Sequence, residues 1–191
     1  MAAQIILASA SPRRKELLDQ INIAYSVNPV DVDETPLPNE KPLDYVQRLA
    51  AEKSAACVAQ LGDGLPVLAA DTAVVLGDLI LGKPKDRDDA LTMLRLLSGK
   101  MHRVYSAISL RGNKHDQAVS ITEVTFRPLT EGEITAYWQS GEPADKAGSY
   151  AIQGLGGVFV KSINGSFSGV VGLPLFEAAE LLSRQGIGIF K

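Results

Sequence analysis

Apolar residues open the chain in a short run and then recur at helical spacing. Ile5, Ile6, Leu7 and Ala8 predict a buried strand, and Leu17, Leu18 and Ile21 predict the apolar face of a helix. Ser9, Ala10 and Ser11 form the tight loop between them. Ser11 stands at the N-cap position and Pro12 at the first helical position, where its missing N–H costs nothing. Ala24 to Val27 predicts a second strand, and the segment Asn28 to Pro38 is too proline-rich for regular structure. Pro42 opens a long helix in which Val46, Leu49, Ala50, Lys53 and Cys57 share one stripe, so Lys53 lies on or beside the buried face.

After the loop Gly62 to Pro66, the run Val67 to Ala70 predicts another strand, with Asp71 and Thr72 directly behind it. Val74–Leu76 and Leu79–Leu81 flank Gly77-Asp78 as a two-residue hairpin. Asp86 caps a helix running through Leu97 that ends at Gly99. His102–Leu110 and Ala118–Arg127 alternate around the turn Arg111–Lys114, which predicts an antiparallel pair and leaves His115 in a polar turn. Thr130-Glu131-Gly132-Glu133 is a capping-box pattern before Ile134, Tyr137 and Trp138. A glycine-rich region from Gly141 to Gly172 includes a strand at Val158–Val160 and a turn at Asn164-Gly165, and Pro174 starts a last helix ending near Gly186. The pattern is that of one mixed α/β domain with much antiparallel pairing.

Composition narrows the function. A hydrophobic fraction of 46% over 191 residues supports one well-cored domain, and no apolar run is long enough to cross a bilayer. The opening Met-Ala-Ala-Gln lacks the basic and apolar regions of a signal peptide, which makes a cytoplasmic protein the default expectation. Cys57 is the only cysteine, excluding an internal disulfide and a multi-cysteine zinc site. A net charge of −3 argues against a general nucleic-acid binder, so any anion must be held by a local basic cluster.

Such a cluster exists. Arg13, Arg14 and Lys15 crowd the first turn of the first helix, where the dipole already presents positive charge. That is the wrong sign for helix stability and the right sign for phosphate. The cations Arg13, Arg14, Lys53, Lys83 and Lys146 and the acids Glu34, Asp71 and Asp145 all lie near loops or strand ends. Cations with acids suit a polyphosphate bridged by a divalent ion. The same residues also fit a surface helix with solvated arginines, a snorkelling Lys53 and an Asp71 that closes a strand in an Asx-turn. Gly77 to Lys83 matches the P-loop spacing by letter, but Pro84 stands where Ser or Thr would hold magnesium and the intervening residues read as half a hairpin. Gly154-Leu-Gly156-Gly157 lacks the dinucleotide-binding spacing. His102 and His115 have no metal-ligand partner at i+3 or i+4, and no G-x-S-x-G elbow occurs.

Several blocks together resemble the Maf-like family of nucleoside triphosphate pyrophosphatases, first associated with inhibition of septum formation. They are Leu7-Ala8-Ser9-Ala10-Ser11-Pro12-Arg13-Arg14, Asp33-Glu34, Ala70-Asp71-Thr72, Gly82-Lys83-Pro84, Asp145-Lys146-Ala147-Gly148, Gln153-Gly154 and Val171-Gly172-Leu173-Pro174. The resemblance runs in order along nearly the whole chain. It implies a single domain over residues 1–191, an elongated mixed sheet flanked by helices, and two lobes around a cleft, related to the inosine triphosphate pyrophosphatases. It also implies hydrolysis of a nucleoside triphosphate between the α and β phosphates, with removal of non-standard nucleotides as a purpose.

In that pattern Asp71 matches the catalytic base. Arg13, Thr72 and Gln153 match the positions that separate branches, and their combination resembles the dTTP/UTP branch. Ser9, Arg13, Arg14, Lys53 and Lys83 are the expected phosphate-binding residues. Glu34 and Asp71 are the expected ligands of a divalent cation, Mg²⁺ or Mn²⁺. The implied partners are the nucleotide and a second copy of the chain, with neither nucleic acid nor membrane. Two other readings use the same residues: a nucleotide-binding regulator of cell division without turnover, and a phosphomonoesterase releasing phosphate first.

Overall fold

The computed structural model describes residues 2–62 and 64–190. The chain begins with a short buried strand, β1 (Ile5–Leu7), which pairs in parallel with β2 (Tyr25–Val27) on one side and β3 (Val67–Leu76) on the other. From β3 onward the pairing is antiparallel, through β4 (Leu79–Leu81), β5 (Met101–Arg111), β6 (His115–Phe126) and β7 (Val160–Asn164). The order is β2-β1-β3-β5-β6-β7, with β4 on the free side of β3. This is a mixed seven-stranded sheet flanked by helices, the class the alternation of short runs and helical stripes predicts.

The helices are α1 (Pro12–Gln20), α2 (Pro42–Leu61), α3 (Arg87–Leu97), α4 (Glu131–Gln139), α5 (Phe167–Val171) and α6 (Leu175–Arg184). Side chains alternate across β3, so its odd and even residues serve different layers. Val46 and Ala50 of α2 pack on Ala73, Val75 and Ala107, and Cys57 packs near Val67 and Ala69. On the other face, Leu17 and Leu18 of α1 and Ala178, Leu181 and Leu182 of α6 cover Leu68, Ala70, Ile108 and Leu110. A separate core gathers Val74, Leu94, Leu97, Val104, Phe126, Ile134 and Phe159 at the far end of the long strands, under α3 and α4.

Between those two cores the sheet has a gap. The β1 ladder on β3 ends at Leu7 opposite Leu68, and the β4 ladder begins only at Val74 opposite Leu81. Among the described residues, nothing pairs with that side of β3 in between. The sequence dictates the gap: the loop after Leu7 turns into α1 at Pro12, and the Gly77-Asp78 hairpin, with Gly77 at φ 63, brings β4 back only three residues.

Several expectations change. Asp71 does not end a strand. The β5 ladder runs unbroken from Val67 to Val75 and makes one ten-residue strand with Asp71 near its middle. The acidic side chain is tolerated there because the gap and a cation lie beside it. Val158 belongs to a 3₁₀ turn (Leu155–Phe159), and the strand expected at Val158–Val160 instead starts at Val160 and runs on to Asn164. His115 is the first residue of β6, with its Nε2 2.8 Å from Ser109 Oγ. The capping box of Thr130 and Glu133 forms, and Asp86 accepts from the Asp89 N–H. Ser11 is the N-cap of α1 by position only, since its side chain makes no cap bond; its own N–H is bound by Ser9 Oγ at 3.2 Å. No helix among the described residues is long and apolar enough to cross a membrane.

His102 illustrates the cost of the second core. It is 1% exposed, meets Tyr150 Oη through Nε2 at 2.8 Å, and stands edge-on to Phe126. Its Nδ1 has no partner among the described residues. Burial pushes its pKa down to about 4, so the folded protein holds it neutral. The unfolded chain binds that proton near pH 6.5 and the folded chain does not, so stability falls as pH drops between those values. Urea titrations are expected to show a loss of about 3 kcal/mol between pH 7 and pH 4 from this residue. The loss is expected to shrink clearly in His102→Gln.

Candidate active site in the gap of the sheet

A cavity of about 480 Å³ opens at the gap, and it is lined by Ser9, Arg13, Arg14, Glu34, Lys53, Asp71, Thr72, Lys83 and Gln153, the site residues expected from the family pattern. Lys15, the third cation of the first turn, lies outside it. Asp71 and Thr72 are neighbours on β3 and point to opposite faces of the sheet. Both reach the cavity because the missing ladder leaves that edge open.

Lys53 does not snorkel. The stripe of α2 buries it, and its Nζ lies 2.7 Å from Asp71 Oδ1 and 2.6 Å from Glu34 Oε1. Burial pushes Asp71 above the ordinary carboxylate range, against the pull of Lys53 and Arg14. Glu34 is more exposed, and the Lys53 hydrogen bond, with the charges of Lys53, Lys83 and Arg14, outweighs its burial and holds it below the usual range.

Arg14 is fixed by neutral acceptors. Its Nε donates to the Gly172 carbonyl at 2.9 Å and its Nη1 to Ser9 Oγ at 3.1 Å. Arg13 stands 3.8 Å from Asp145, whose carboxylate also pairs with Lys146. Of the five cations in the wall, Arg14 and Lys83 are in no ion pair among the described residues. They are the charges free to meet an anion.

Thr72 has a fixed polarity. The Ser106 hydroxyl donates its one hydrogen to the Gly169 carbonyl at 2.5 Å, so the 2.9 Å contact between Thr72 Oγ1 and Ser106 Oγ uses the Thr72 hydrogen. Thr72 therefore offers only lone pairs to a ligand.

The loop that brings Glu34 here is anchored by residues the sequence analysis did not single out. Tyr45 of α2 donates to the Glu34 carbonyl at 2.9 Å, and Arg48, one turn on, binds Glu40 at 2.6 and 2.8 Å and the Thr35 carbonyl at 3.2 Å. Their i, i+3 spacing is visible in the sequence, but the partner segment has no periodicity to match it. The opposite wall is drawn from residues 145 to 153, in two consecutive 3₁₀ turns (Glu142–Asp145 and Ala147–Ser149) followed by a β-turn. The Gly148 N–H ties it to the Gly82 carbonyl beside Lys83 at 3.0 Å.

As chemistry, the cavity of this mixed α/β protein offers two free cations, a buried carboxylate held by a lysine, and polar side chains further along, a set suited to a polyanion. The chain belongs to the Maf-like protein family, whose model matches residues 4–185. It is 53% identical over 191 residues to a protein of Anaeromyxobacter dehalogenans named dTTP/UTP pyrophosphatase, covering 97% of this chain and 96% of the relative. A Methylococcus capsulatus protein of the same name is 53% identical over 186 residues, covering 97% and 92%. One of Pseudoalteromonas atlantica, also so named, is 49% identical over 187 residues, covering 96% and 97%. Among solved structures, the Staphylococcus aureus Ham1 protein aligns with a TM-score of 0.47 and 18% identity over 64% of this chain and 71% of that one.

The Lys53–Asp71 pair can be tested by stability alone. Lys53→Met leaves a buried carboxylate without its nearest cation and is expected to cost about 3 kcal/mol in urea unfolding at pH 7. Lys53→Met with Asp71→Asn is expected to recover most of that loss.

Proposed function

We propose that this chain hydrolyses the pyrimidine nucleoside triphosphates dTTP and UTP between the α and β phosphates, giving the monophosphate and pyrophosphate. The reading is supported by full-length relatives of that name, and the observation that carries it is Asp71 paired to Lys53 beside the free cations Arg14 and Lys83. In this reading Arg14 and Lys83, with Arg13 and Ser9, hold the β and γ phosphates and take up the charge that grows on the leaving pyrophosphate. Lys53 keeps Asp71 in place and neutralises the α-phosphate. Asp71 orients the attacking water and accepts its proton at a carboxylate oxygen, and burial makes it a stronger base than an exposed acid.

Glu34 and Asp71 are the residues that would hold a divalent cation. Each carboxylate gives one oxygen to Lys53 Nζ and keeps the other, and two hard oxygen donors suit Mg²⁺ or Mn²⁺. Among the described residues no third acid, histidine or cysteine joins them, so phosphate oxygens and water would complete the shell. The ion supplies charge shielding and a lowered pKa for bound water.

Base selection falls to Arg13, Thr72 and Gln153, all three in the cavity wall. Thymine and uracil share O2, N3–H and O4; the Gln153 amide both donates and accepts, and Thr72 only accepts. The same reading makes the protein cytoplasmic and a homodimer, and light scattering on the purified chain tests the dimer.

The decisive assay is a panel of nucleoside triphosphates with Mg²⁺ or Mn²⁺, reading pyrophosphate and phosphate separately. Pyrophosphate from dTTP and UTP, stopped by EDTA and reduced at least about 100-fold in Asp71→Asn, is the expected result. Phosphate as first product, or tight binding without turnover, would sink it. Gln153→Glu is expected to lower kcat/KM for dTTP and UTP by about tenfold or more with little change in melting temperature; unchanged kinetics would remove Gln153 from base selection.

A further inference from the structure

Gln153 is exposed in the cavity wall at the apex of a β-turn closed by the Gly154 N–H on the Ala151 carbonyl at 3.2 Å. A side chain so placed points wherever its backbone is held. Two residues outside the cavity hold it. Tyr137 Oη accepts the Ala151 N–H at 3.0 Å and donates to Glu142 Oε1 at 2.6 Å. Glu142 also accepts the Leu155 N–H at 2.9 Å and the Gly156 N–H at 3.0 Å. The turn is thus gripped before its first central residue and just after its last, by one phenol and one carboxylate.

The fit is close. A Cβ on Gly156 would stand 2.6 Å from Tyr137 Oη and 2.8 Å from the Ala151 carbonyl, and one on Gly154 would run into the Glu142 carboxylate. The bonds from Tyr137, Gly156 and Leu155, helped by Lys146, outweigh burial and keep Glu142 below the ordinary carboxylate range, so the acceptor stays ionised at neutral pH. Glu142 is half-buried, and its carboxylate satisfies the buried Tyr137 hydroxyl and two backbone N–H groups at once.

We propose that Glu142 and Tyr137 are positioning residues for base selection, a clamp that fixes the Ala151–Gly156 backbone and so the direction of the Gln153 amide. The inference rests on the selectivity role proposed above for Gln153. Neither residue touches the cavity, so they act on which base is accepted and not on the phosphate chemistry.

The test is a double-mutant cycle read as the ratio of kcat/KM for dTTP to that for GTP. Glu142→Gln keeps the shape but turns its NH₂ toward one of the two backbone N–H groups that the carboxylate accepts. It is expected to lower the ratio by about tenfold, mostly through the KM for dTTP. Tyr137→Phe, which leaves Glu142 its two backbone donors, is expected to lower it by about threefold. In a Gln153→Ala background, Glu142→Gln is expected to change the ratio no further. Equal loss for dTTP and GTP in Glu142→Gln would overturn the clamp as a selectivity device, as would the same tenfold drop with or without Gln153. A Gln153→Ala protein with the wild-type ratio would instead fail the reading of Gln153, and the clamp with it. If Glu142→Gln gives no folded protein, Tyr137→Phe carries the cycle to the same outcomes.

Discussion

Asp71 stands near the middle of a ten-residue strand, where an uncompensated carboxylate would cost several kcal/mol. Lys53 makes the position tolerable, and much of the architecture follows from delivering that lysine. α2 has to lie on the odd-numbered face of β3 at one register, with Val46 and Ala50 packed on Ala73 and Val75, for Nζ to arrive within 2.7 Å. The gap between the β1 and β4 ladders has to fall at the same height, or the pair would be sealed in. The proline-rich loop then closes over it, with Glu34 on the same ammonium and Tyr45 and Arg48 fastening the backbone to α2.

Charge balance in the cavity is local. The chain carries net −3, yet the wall has five cations against four carboxylates. Because Lys53, Arg13 and Lys146 are matched by Asp71, Glu34 and Asp145, the positive potential concentrates on Arg14 and Lys83. An acidic protein can hold a polyanion without a basic surface because the attraction works only inside the cavity, where screening by salt is weak.

Much of this was legible in the sequence, and the failures have physical causes. The helices were found where apolar stripes and caps coincide, as in Asp86 to Leu97 and Thr130 to Gln139. Lys53 on a buried stripe left two readings open, snorkelling or reaching a site, and the bonds to Asp71 and Glu34 decide for the second. The strand through Asp71 was missed because a polar pair breaks the apolar run, and only the nine-pair ladder to β5 shows that the backbone continues. The 3₁₀ turns after Glu142 and the short helix α5 carry no periodicity long enough to read. That all nine chosen residues share one cavity could come only from the family resemblance or the structure, since they span residues 9 to 153 and no spacing rule links them.

The bond from Arg14 to the Gly172 carbonyl joins positions 158 residues apart. At a synthesis rate of roughly 5–20 residues per second, the guanidinium waits on the order of 10–30 s for its acceptor to be made. Through that interval the nascent protein has its basic first turn but not the closed cavity wall. A ribosome-bound or prematurely terminated chain that lacks the last two dozen residues therefore carries the early motif in sequence without the acceptor and wall residues that fix Arg14 in the cavity.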